Sequence, residues 1–134
     1  MEISKAFLEL EKEVMIKLLD GTDDTLKVFR EQYYRALVKK REFSVMGFFT
    51  LFEMPEDSPL SEPPMSIQLG DVVGQLDGVK NGIGFVLFIK NGFIQMLEGY
   101  TYGDEKWPKN FTEFKVSYIS GSNRDVKKIW EKLK

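Results

Sequence analysis

Residues 83–99 read IGFVLFIKNGFIQMLEG, and they constrain the fold more than any other stretch. Two apolar runs flank Asn91-Gly92. Both central residues of a type I′ hairpin turn need positive φ, which Asn and Gly tolerate best. The stretch therefore predicts an antiparallel strand pair. Its first run, 83–90, is apolar on both faces, as is FSVMGFFTLFE (43–53), which is rich in aromatic and β-branched residues and is expected inside a sheet. SIQLGDVVGQLDG (66–78) and FKVSYIS (114–120) complete about five strands, with Gly70 and Gly74 marking a bulge or a close backbone approach.

Helical spacing governs both ends of the chain. Ile3, Phe7, Leu10, Val14 and Leu18 form one stripe, which stops at Asp20-Gly21. A second helix is expected from a Thr22 cap, with Leu26, Phe29, Tyr33 and Leu37 on its apolar face and Lys39, Lys40 and Arg41 at its carbonyl end. The short join predicts a helical hairpin. SNRDVKKIWEKLK (122–134) reads as a terminal helix capped by Ser122, with Val126, Ile129, Trp130 and Leu133 buried. The predicted class is α+β, a single domain over 1–134, with a mostly antiparallel sheet and helices segregated against it. Three helices need not cover both sheet faces. The loop MPEDSPLSEPP (54–64) and the terminal helix are expected to close the second one; left open, it would suit a partner or a homodimer.

What is missing narrows the chemistry. The chain has no Cys and no His, so thiol nucleophiles, disulfides, thiolate metal sites and the commonest general base at neutral pH are all excluded. An enzyme would have to work with carboxylates, Lys, Arg or Tyr. No loop has the spacing of a calcium site, and neither metal nor cofactor is expected. The basic surplus of residues 80–134 is modest and falls largely on the last helix, a poor fit to nucleic-acid binding. No apolar run approaches the ~20 residues that span a bilayer, and no secretory signal opens the sequence, so a cytoplasmic location is expected.

Two stretches stand out as candidate sites. Residues 53–79 carry six acidic and no basic side chains, among them Glu56, Asp57, Glu62 and Asp71. A solvated loop explains them, and so does steering of a basic partner. QMLEGYTYGDEKWPKNF (95–111) follows an apolar strand, and its Glu98, Tyr100, Tyr102, Asp104 and Trp107 have the composition of an interface anchor with a polar rim. A strand leaving the sheet through an ordered loop explains the same residues. The alternative is a carboxylate-dependent enzyme or small-ligand binder that uses Glu53 and Glu98 beside Tyr100 and Tyr102.

The segments GFFTLFE (47–53) and MLEGYTYGDEKWP (96–108), joined through QLGDVVGQLDGVKNG (68–82), resemble a group of small, mostly uncharacterised bacterial proteins of the toxin-immunity type. The likeness covers roughly residues 41–108 and carries no catalytic residue with it. It implies a cytosolic non-enzyme that binds and blocks a toxin. Its partner would be a basic toxin domain met by the acidic residues and the aromatic anchors.

Overall fold

The computed structural model describes residues 3–61 and 63–131. Helix α1 (Lys5–Leu18) starts where the Ser4 hydroxyl accepts the Phe7 N–H at 3.1 Å. Helix α2 (Asp24–Arg35) starts where Asp23 Oδ1 accepts the Leu26 N–H at 2.7 Å, so Asp23 rather than Thr22 is the cap. Both caps satisfy N–H groups that a helix start leaves unpaired. The strands are β1 (Leu37–Phe43), β2 (Gly47–Glu53), β3 (Ile67–Leu76), β4 (Ile83–Lys90), β5 (Phe93–Thr101) and β6 (Phe114–Tyr118), followed by α3 (Val126–Glu131).

All six strands join one antiparallel sheet in the order β1-β2-β5-β4-β3-β6. The β4–β5 hairpin lies at its centre and turns through Asn91 and Gly92, with φ of 50° and 84°. The expected bulge in β3 is present: pairing with β4 slips between Leu69 and Val72, which is where Gly70 sits.

The second helix is shorter than its apolar spacing predicts. It stops at Arg35, and LVKKREF becomes edge strand β1 instead of its last turn. The reason is tertiary. Arg41 pairs with Thr50 across β1–β2 and donates to both oxygens of Glu11, at 3.0 and 2.7 Å. Thr50 Oγ1 donates to the same carboxylate at 2.5 Å, so a buried helix acid is fully engaged by two strands. Lys39 and Lys40 then serve as charges on a sheet edge, which discourages pairing with a foreign strand.

One face of the sheet carries the core. Phe48, Thr50 and Phe52 of β2, Ile83, Phe85, Leu87 and Ile89 of β4, and Ile94 and Leu97 of β5 are buried there. Helix α1 lies against β3 and β6, and α2 against β5. Gln32, fully buried on α2, links three segments. Its Nε2 donates to the carbonyls of Pro59 and Gly92, and its Oε1 accepts the Ile94 N–H.

The C-terminal segment is fastened to this same side. Trp130 Nε1 donates to Asp23 Oδ2, Tyr118 Oη to the Lys17 carbonyl, and Arg124 to both oxygens of Asp71 and to the Asp20 carbonyl. Helix α3 starts later than expected, with Asp125 Oδ1 rather than Ser122 accepting the Lys128 N–H; Leu133 lies outside the described residues.

Candidate functional site

The far face of the sheet is open. Loop 54–64 was expected to cover it, but Ser61 and the Pro59 carbonyl pack toward α2 and the Asn91-Gly92 turn instead. The terminal helix goes the same way, through Ile129 and Trp130. Both segments are drawn to the core side, where Gln32 and Asp23 offer buried or half-buried polar partners. The expected cover is therefore absent among the described residues.

Register places the side chains of the open face in rows. Phe49 of β2, Glu98 of β5 and Val86 of β4 stand side by side, as do Leu51, Met96 and Phe88 in the next row. These apolar side chains are half-buried and lie outside the core cluster. Glu98 is flanked by Phe49 and Val86 and makes no ion pair among the described residues. The open face thus frames the Glu98 carboxylate with apolar groups.

Beyond Glu98 on β5 comes Tyr100, whose cross-strand neighbours are glycines on both sides, Gly47 and Gly84. A Cβ at Gly84 would lie 2.6 Å from Tyr102 Oη and 2.7 Å from Tyr100 Oη, so both phenols converge over that glycine. The rings meet edge to face at 5.6 Å. Burial, followed by the neighbouring Tyr100, pushes the Tyr102 hydroxyl above its usual pKa, which keeps it a donor.

The rest of the stretch 95–111 divides. Trp107 is buried against Phe48, with centroids 5.2 Å apart, and its backbone N–H donates to the Val45 carbonyl. It anchors the loop to the core and is not available as an interface contact. Thr101 donates to the Glu105 carbonyl at 2.5 Å, and the Glu105 carboxylate accepts the backbone N–H groups of Lys80 and Asn81. Asp104 remains exposed in the turn at Gly103. Strand exit accounts for Trp107 and Glu105, whereas Glu98, Tyr100 and Tyr102 face outward.

Of the four acidic candidates, the three among the described residues do not gather into one patch. Glu56 and Asp57 are exposed on loop 54–64, at the opposite end of the sheet from Tyr102. Strand β5 alone separates those ends by roughly 30 Å. Asp71 is engaged by Arg124, and Glu62 lies outside the described residues. Glu53 and Glu98 share the open face, but Glu98 is opposite Phe49, four residues back along β2 from Glu53. That offset is about 13 Å, beyond the separations used by paired-carboxylate hydrolysis.

Sequence reasoning passed over Phe49, Leu51, Val86, Phe88 and Met96 as site residues. Their signal was present in the doubly apolar strands, which require either a second covering layer or a partner. No helix among the described residues is long and apolar enough to cross a membrane. Comparisons with protein-family models, with curated proteins and with solved structures find no match to this chain.

Proposed function

We propose that this protein is a non-enzymatic binding domain that docks a second protein on the open face of its sheet, and that the partner is a basic toxin domain met in the cytoplasm. The observation that carries this reading is the row Phe49–Glu98–Val86 beside Leu51–Met96–Phe88. A carboxylate inside an apolar patch selects a partner that brings one cation surrounded by apolar side chains. Desolvation at such a centre makes the pairing matter more than a rim contact would. The likeness of residues 41–108 to immunity-type proteins supports the choice of a toxin as that partner. Glu56, Asp57 and Asp104, which stay exposed, contribute long-range attraction only.

The test is capture from the source organism's lysate at low salt, followed by a graded salt wash, with four baits run in parallel. A basic partner held by the wild-type protein is expected to be lost with Glu98→Lys or Phe88→Asp. Charge reversal at Glu56 and Asp57 should change its release by salt but not its retention at low salt. A partner retained equally by both face variants would remove the open face from the interface.

A further inference from the structure

At the β3–β6 side of the open face the side chains become small. Val73 and Ser117 stand side by side across β3 and β6, next to Gly84 with its cover of two tyrosine hydroxyls. Larger residues in the next row and in the following loop rise around them. The result is a recess of about 380 Å³ rimmed by Gln75, Lys80, Asn81, Tyr102 and Lys115.

This rim is chemically unspent. Lys80 and Lys115 have no ion pair among the described residues. Glu105, which could have neutralised Lys80, has both oxygens on the backbone N–H groups of Lys80 and Asn81. Those bonds fix segment 80–81 and leave its side chains free to face the recess. A second recess of about 400 Å³ shares Gln75, Lys80 and Lys115, and Asp77 and Glu113 line it as well. Asp77 Oδ2 is occupied there by the Thr112 hydroxyl and the Glu113 N–H.

We infer that the recess between β3, β6 and segment 80–82 binds a small organic anion, with the carboxylate or phosphate group between Lys80 and Lys115 and the remainder against Tyr102. Two ammonium groups supply charge-assisted contacts. Gln75, Asn81, Ser117 and the Tyr102 hydroxyl supply neutral donors around them. The apolar docking rows lie on the other side of Tyr100, so this site does not depend on the protein partner.

The experiment is a ¹H–¹⁵N shift titration of the whole chain at constant ionic strength, with inorganic phosphate, citrate and adenosine monophosphate as probes and chloride as reference. Saturable shifts are expected at the amides of Lys80, Asn81, Gly82 and Ser117 with at least one probe. Lys80→Gln and Lys115→Gln should each weaken that binding about tenfold, the worth of one charge-assisted contact. Lys90→Gln, at the other end of β4, should leave it unchanged. The inference falls if no probe saturates below ~10 mM, a free energy too small for two such contacts. It falls equally if the lysine variants bind as the wild type does.

Discussion

Gln32 offers the sharpest test of how this fold is held together. Its side chain is 0 % exposed, and two carbonyls and one N–H fix which end of the amide is which. Gln32→Leu keeps the volume and removes every polar atom. The Gly92 carbonyl and the Ile94 N–H are then left buried without their partner, and the Pro59 carbonyl loses a donor at a half-buried site. Each stranded buried group costs about 1–3 kcal/mol, and removing the desolvated amide itself returns part of this. The net loss is therefore about 2–4 kcal/mol, a large share of the 5–15 kcal/mol typical of a small domain. In urea, with m of about 1–3 kcal/mol/M, the midpoint should fall by roughly 0.7–4 M at unchanged m. Hydrogen exchange at Ile94 should accelerate with it. A loss below ~0.5 kcal/mol, the scatter of an ordinary surface change, would refute the claim that Gln32 joins α2 to the hairpin and loop 54–64.

Two further outcomes follow from the polar groups of the core. Glu11→Ala strands Arg41 and Thr50 and should cost about 3–5 kcal/mol, whereas the double change Glu11→Leu with Arg41→Leu should cost clearly less; equal losses in a denaturant double-mutant cycle would deny their coupling. Burial raises the pKa of Tyr33, Tyr102 and Tyr118 above the ordinary 10.0, so the folded chain holds those protons more tightly than the unfolded one. Their contribution is complete below pH 10.0 and is lost as pH rises through the folded values. Tyrosinate absorbance should therefore show these three ionising above the ordinary 10.0 while stability declines on the alkaline side; their ionisation at the ordinary value with flat stability would contradict the burial.

The elements legible in the sequence are those specified within a few residues. The Asn91-Gly92 turn, the stripe of α1 and the Gly70 bulge each depend on local backbone chemistry, and each is where the residues place it. Strand β1 is different. LVKKREF continues the helical spacing of α2, and only Glu11 and Thr50, distant in sequence, draw Arg41 into a strand. The same holds at the candidate site. Trp107 and Asp71 look like surface anchors until Phe48 and Arg124 are seen to claim them. Glu11 and Gln32 could have been noticed. Glu11 sits on the stripe between Phe7 and Val14, and Gln32 lies three residues past Phe29, both positions where a polar side chain must find a partner.

The bolts between the last and first parts of the chain also bear on how it is made. Tyr118 to Lys17, Arg124 to Asp20 and Trp130 to Asp23 each span more than a hundred residues. At 5–20 residues per second, synthesis takes roughly 5–20 s to travel that distance. During that interval α1 has emerged with Phe7, Leu10, Val14 and Leu18 displayed and with β6 not yet made. The nascent chain therefore carries an uncovered greasy helix for seconds, a natural handle for a chaperone. Closure of the α layer waits for Tyr118, Arg124 and Trp130, which are made seconds after the helices they lock.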